Sequence, residues 1–343
     1  MKKFDNVLNT SLQGGFSRLR RLRSHPVLRD LLSETVVLPS DLVMPLFVHD
    51  KSHSEPIVSM PGCFRFTIDH LSDQLAKGAA CGVNAFILFG IPESKDSRGL
   101  VALDDDGIVQ RALRKMKQDH PDAWVAVDLC FCEYTDHGHC GVLKTDSPIL
   151  GDVDNDETLM LLQRQAVSLA EAGADCIAPS GMMDGMVCMI RQALDAAGYT
   201  ELPILSYAVK YASACYGPFR DAAQSGMAFG DRHTYQMDYR GREMALAEAL
   251  ADTAEKADML MVKPAMLYLD IIRDVKNALP HMPLAAYQVS GEYSMICSAA
   301  ETGMAGREHL IHESLTAIKR AGADFIISYF AFEYANFWKR LYE

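Results

Sequence analysis

One pattern of apolar and polar positions recurs four times along the chain. A helix-forming stretch ends in glycine or a small residue, an Asp or Asn follows, and then four or more apolar residues run without interruption. It occurs at Gly82-Val83-Asn84 before AFILFG, Gly173-Ala174-Asp175 before CIAPS, Lys256-Ala257-Asp258 before MLMVKP and Gly322-Ala323-Asp324 before FIISYF. The small residue ends a helix, the polar residue sits in a short turn, and the unbroken apolar run suits a strand buried on both faces. Further apolar runs lie between these joints: DLVMPLFV (41–48), WVAVDLC (124–130), LPILSYAV (202–209) and MPLAAYQVS (282–290). Helical periodicity covers 157–172, 185–197, 241–256 and 308–321. Eight buried strands alternating with helices predict an α/β fold of the (β/α)8 TIM-barrel type. The competing open, doubly wound sheet normally carries a glycine-rich dinucleotide fingerprint after its first strand, and none follows residue 48.

Residues 1 to about 35 stand outside the repeat. They hold Arg18, Arg20, Arg21, Arg23 and Arg29 on a chain whose net charge is −12. A solvated tail or an organellar transit peptide are two readings of such a start. The prolines and acids close by, and continuation into the fold without a cleavage-like break, favour an N-terminal arm that grips a neighbouring subunit, with 36–343 as the catalytic barrel. The acidic balance of 45 Asp and Glu against 33 Lys and Arg argues against nucleic acid or an anionic membrane as main partner. No apolar stretch is long enough to span a bilayer and MKKFDNVLNT lacks a secretory apolar core, so a cytoplasmic protein is expected.

The chemistry concentrates where the predicted strands end, the catalytic side of such a barrel. Those ends carry Asp128, Cys130, Ser180, Lys210, Lys263, Ser290 and Tyr329. LSYAVK and MLMVK each drive an ammonium group to the end of a buried strand, and adjacent strands lie roughly 4.8 Å apart. Desolvation and like charge both favour the neutral amine, a nucleophile suited to forming a Schiff base with a carbonyl substrate. A snorkelling or ion-paired lysine is the plain alternative for either residue alone, and less so for two together.

Most of the nine cysteines sit singly in apolar runs, as small core residues do. The exception is CFCEYTDHGHC, where Cys130, Cys132 and Cys140 offer three thiolates of the softness zinc prefers. Three protein ligands leave a position open for water or substrate; His137 or His139 as a fourth would close the site into a structural one. Residues 211–236, rich in Gly, Pro and small side chains, read as a long loop over the barrel mouth, with Arg220 and Arg232 as clamps for a substrate carboxylate. A Schiff-base aldolase barrel needs one lysine and no metal, and a binding scaffold leaves the polar strand ends without a purpose.

At these residues the chain resembles the porphobilinogen synthase (δ-aminolevulinate dehydratase) family over nearly its full length. The similar segments are RLRRLRSHPVLRDL, DLCFCEYTDHGHCGVL, APSGMMDGMV, YAVKYASACYGPFRDAA, MLMVKPAMLYLDIIRDVK, YQVSGEYSMI and AGADFIISYF. The resemblance implies condensation of two 5-aminolevulinate molecules to porphobilinogen, with loss of two waters, for tetrapyrrole (heme) synthesis. It implies that Lys263 binds the substrate that becomes the propionate side and Lys210 the acetate-side one. Ser290 and Tyr329 would hold the first carboxylate, and Arg220, Arg232 and Gln236 the second. Tyr216 and Phe219 would shape the pocket, with Asp128 and Ser180 beside the reacting groups. It further implies zinc on Cys130, Cys132 and Cys140, allosteric magnesium at a subunit interface through Glu248, and homo-octamers built from dimers.

Overall fold

The computed structural model describes residues 18–342; the first 17 residues of the expected arm lie outside the described residues. The chain divides into two compact units, one up to Val36 and the other from Val37. In the first, a 3-10 turn at Leu19–Arg23 precedes a short helix, Pro26–Leu31. Pro26 takes the first helical position, where its missing N–H costs nothing, and His25 Nδ1 accepts the Val27 N–H at 3.2 Å. Leu19, Leu22, Val27, Leu31 and Leu32 are exposed.

The second unit is the predicted barrel. Its strands are β1 (Leu42–His49), β2 (Ala85–Ile91), β3 (Trp124–Leu129), β4 (Cys176–Pro179), β5 (Leu205–Lys210), β6 (Met259–Lys263), β7 (Leu284–Gln288) and β8 (Phe325–Ser328). They pair in parallel in the order β4-β3-β2-β1-β8-β7-β6-β5. The ring closes where Ile177 of β4 bridges Ile204, just ahead of β5. Around it run α1 (Ile68–Cys81), α2 (Ile108–Asp119), α3 (Asn155–Glu171), α4 (Met186–Ala196), α5 (Glu243–Ala254), α6 (Leu269–Ala278), α7 (Ser290–Glu301), α8 (Arg307–Ala321) and α9 (Ala331–Tyr342). A short antiparallel pair, Glu55–Pro56 with Phe64–Phe66, is attached to β1 and went unpredicted.

The recurring turn does what its residue types require. Gly82, Gly173 and Gly322 have φ of +85°, +100° and +130°, and Lys256 takes φ +75° at the equivalent joint. The acid that follows reaches across to the preceding strand: Asp175 Oδ2 accepts Val125 N, Asp258 Oδ2 accepts Ile204 N, and Asp324 Oδ2 accepts Leu284 N, at 2.8, 2.8 and 2.7 Å. Each satisfies a backbone donor where a strand enters the barrel. Lys117 and Lys276 neutralise Asp175 and Asp324.

Two expectations need correction. Ser290 does not end a strand: β7 stops at Gln288 and Ser290 opens α7. The segment after Lys210 is not loop throughout, since it contains a 3-10 turn, Ala214–Tyr216, and a short helix, Gly217–Ala222.

Candidate active site

Lys210 and Lys263 are opposite each other in the β5–β6 register, each only 4 % exposed. Lys263 Nζ sits among four rings, 4.3 Å from the centroid of Tyr287, 4.9 Å from Tyr207, 5.1 Å from Phe219 and 5.5 Å from Tyr216. Burial, with the like charge of Lys210 second, pulls its pKa down to about 7, while Asp128 pulls the other way. Lys210 Nζ donates to Ser180 O at 2.6 Å and lies 5.6 Å from the Tyr207 ring.

Tyr207 reaches this position through an irregularity. Between Ser206 and Val209 β5 contains one residue more than the facing Leu260–Val262 stretch. Strict alternation would send Tyr207 and Lys210 to opposite faces; the extra residue brings both toward the same amines. Asp128, on β3, is held by Ser180 Oγ at 3.1 Å, and burial raises its pKa despite the two nearby lysines. A carboxyl whose pKa is raised beside an amine whose pKa is lowered is a pairing suited to exchanging protons.

Beside Asp128 the thiols of Cys130, Cys132 and Cys140 gather, one ligand atom of each within 4.8 Å of the others and all three side chains buried. Cys130 and Cys132 Sγ are 3.5 Å apart. Hydrogen bonds from these two thiols hold Cys140 well below the usual thiol range, and the other two are pushed up. Three buried thiols that hydrogen-bond to one another, one held low and two high, form a set whose protons a soft divalent cation would displace on binding. Neither histidine is available to close the set. His139 Nδ1 and Nε2 bond Tyr235 OH and Phe229 O at 3.1 and 2.9 Å, and His137 bonds Ser97 O and His139 N at 3.0 and 3.1 Å. The donors therefore fit a three-thiolate metal site that no histidine closes. Glu133, 2 % exposed, accepts from Cys132 Sγ at 3.2 Å; its place directly after the second cysteine was the available signal, and sequence reasoning missed it, as it missed Tyr207 and Tyr287.

The lid supplies the rest. Tyr216 OH donates to Lys263 O at 3.2 Å, and the Phe219 ring packs edge-on to Phe89. Ser290 Oγ accepts Phe219 N at 2.8 Å. Tyr329 OH pairs with Tyr287 OH at 3.0 Å, which brings it to the edge of the Lys263 cage. Arg220, Arg232 and Gln236 line a separate cavity of 690 Å³ under the lid. Arg232 spends Nη2 on Gly138 O and Ser225 O, but its Nε, the Arg220 Nε and both amide atoms of the buried Gln236 have no protein partner. Buried donors left in this state are what a ligand carboxylate would satisfy. Burial opposes the charge on Arg232, and the negative charge of the cysteine cluster, that of Cys140 first, more than restores it. Glu248 is not in this constellation. It lies half-buried on α5, lining another cavity of 460 Å³ with Asp184; burial first, then the Asp184 and Glu255 charges, push its carboxyl up.

A parallel (β/α)8 barrel with two buried lysines and a metal-ready thiol cluster at one mouth defines a metal-dependent barrel enzyme acting on a small carbonyl compound. The sequence model of the delta-aminolevulinic acid dehydratase family matches residues 16–337, and the chain belongs to that family. Its activity is that of a porphobilinogen synthase, a hydro-lyase of porphyrin biosynthesis. The delta-aminolevulinic acid dehydratase of Bacillus subtilis (strain 168) is 51 % identical over 317 residues, 92 % of this chain and 96 % of that protein. The Staphylococcus aureus (strain Mu50 / ATCC 700699) protein of the same name is 50 % identical, covering 92 % and 97 %. A crystal structure of the Toxoplasma gondii ME49 enzyme with its reaction product porphobilinogen superposes with a TM-score of 0.91 at 42 % identity, over 94 % of this chain and 92 % of that one. Among the described residues no helix is long and apolar enough to cross a membrane.

Proposed function

We propose that the chain joins two molecules of 5-aminolevulinate through Schiff bases on Lys263 and Lys210. The observation that carries this reading is the pair of buried amines at matched strand ends, one with a pKa of about 7. Neutral Lys263 adds to the keto carbon of one substrate and loses water, and Lys210 does the same with the other. A substrate carbon next to its imine is deprotonated, the two substrates are joined by a carbon–carbon and a carbon–nitrogen bond, and both lysines are released. Two substrates less two waters give the pyrrole. Asp128, steadied by Ser180, takes up and returns protons between the amines. Ser290 and Tyr329 receive the first carboxylate; Arg220, Arg232 and Gln236 receive the second. Tyr216 and Phe219 exclude water from the Lys263 side. The thiols of Cys130, Cys132 and Cys140 would hold zinc, which supplies Lewis-acid polarisation of a substrate oxygen when bound. Formation of a pyrrole from 5-aminolevulinate, read with an aldehyde colour reagent, tests the activity; its absence in the metal-replete protein would sink it.

The amine pKa gives a pH expectation. Lys263 is protonated below pH 7 and reactive above, so borohydride trapping of its adduct should rise through about pH 7 and level off. Removing the like charge in Lys210→Met should move that rise to higher pH. A rise at unchanged pH in the variant would leave burial as the only cause.

The arm and Glu248 belong to assembly in this reading. Residues up to Val36 carry five arginines and exposed leucines that a barrel of net negative charge in a second copy would cover, which supports a homo-octamer of arm-linked dimers. Magnesium bound at Glu248 would favour the assembled form by mass action. Sedimentation and turnover should both increase with magnesium in the wild type, and far less in Glu248→Ala. Deleting residues 1–35 should leave a folded, smaller and less active species. Indifference of the wild type to magnesium would return Glu248 to an ordinary helix residue.

A further inference from the structure

The six-residue helix Gly217–Ala222 brings Phe219 over Lys263 and carries Arg220, yet a helix this short cannot hold its own shape, because so few turns do not repay the cost of nucleating it. It is gripped from outside. Arg65 lies in the strand Phe64–Phe66, in register with Phe47 of β1, and is 7 % exposed. Its Nε donates to Ala222 O at 2.7 Å, and its Nη2 to Asp221 O at 2.6 Å and Asp221 Oδ1 at 3.2 Å. Glu55 Oε2 lies 4.0 Å from Nη1. From the same hairpin, Ser59 Oγ donates to Asp221 Oδ2 at 2.5 Å. At the other end, Ser290 Oγ accepts Phe219 N. A guanidinium on the last carbonyls of a helix also meets the negative end of its dipole, and its planar fork fixes an angle that a point charge would not.

We propose that Arg65 is a positioning residue for the condensation: by holding Asp221 and Ala222 it sets how Arg220 meets the second substrate's carboxylate. Arg65 lines neither the lysine cage nor the cavity holding Arg220 and so acts through the helix alone. The inference rests on the reading of Arg220 as a carboxylate clamp, and the test separates the two.

The test measures KM and kcat for wild type, Arg65→Gln, Arg220→Ala and the double variant. Losing a charge-assisted contact should raise KM about tenfold in each single variant, with kcat for Arg65→Gln within about threefold of wild type. Because Arg65 works through Arg220, the double variant's KM should match that of Arg220→Ala to within about twofold. Multiplied KM effects in the double variant, or a reduced kcat at unchanged KM in Arg65→Gln, overturn the role. KM unmoved in Arg220→Ala overturns the clamp reading instead. If Arg65→Gln does not fold, Arg65→Lys, which keeps the charge and loses the fork, is read by the same criteria with a KM rise of about threefold.

Discussion

Lys263→Met should abolish porphobilinogen formation, with a loss on the order of 10^4-fold or more, as when other enzymes lose a covalent nucleophile. Methionine matches the lysine stem in length and fills the cage of Tyr207, Tyr216, Phe219 and Tyr287 without a charge. An amine whose pKa falls from 10.5 to about 7 on folding costs the folded state stability wherever it must be protonated. The sign follows: the unfolded chain binds more protons between about pH 7 and 10.5, so this group's contribution improves as pH rises through that window. The variant should therefore melt no lower than wild type, and higher at pH 6. Lys210→Met should still yield a borohydride-trapped adduct at Lys263. A Lys263→Met protein that retains measurable turnover, or loses it only by melting below the assay temperature, would contradict the assignment.

Stripping divalent metal with a strong chelator should bring turnover to background while the circular dichroism spectrum stays the same. The reason lies in how the cysteine loop is built. It begins after β3, and its turn is held by Thr135 Oγ1 to His139 O at 2.8 Å, by His139 N to His137 Nδ1, and by the two His139 ring bonds to Tyr235 and Phe229. The parallel strand pairing of the barrel does not pass through these residues. A small domain folded only by its metal derives on the order of 10 kcal/mol or more from it; here the metal has little folding left to do. Returning zinc should restore the rate, and Cys132→Ser should reproduce the chelated behaviour at saturating substrate. Loss of the helical signal on chelation would instead make the site structural.

Much of this was written in the local pattern. The barrel was readable because four αβ joints repeat one solution, a left-handed turn followed by Asp or Asn, before a strand buried on both faces. Asp175, Asp258 and Asp324 perform that same task at three joints. The lysines and the cysteine triplet were readable because a charge or a soft ligand at the end of a buried run has few structural uses. Residues whose role depends on distant partners were not. Tyr207 reaches the amines only because β5 carries an extra residue opposite β6, which alternation within one strand cannot reveal. Arg65 grips backbone 157 residues further along the chain.

The sequence by itself determined the repeat, the strands that end in Lys210 and Lys263 and the class of chemistry, since these depend on hydrophobic periodicity and on residue type within a few positions. Only the tertiary structure decided which histidine nitrogens were spent, that the lid contains a helix clamped at both ends, and that Glu248 lines a cavity apart from the lysine cage. Hydrogen-bond partners and burial are properties of groups brought together by the closed barrel, and the linear order of residues does not specify them until the ring is formed.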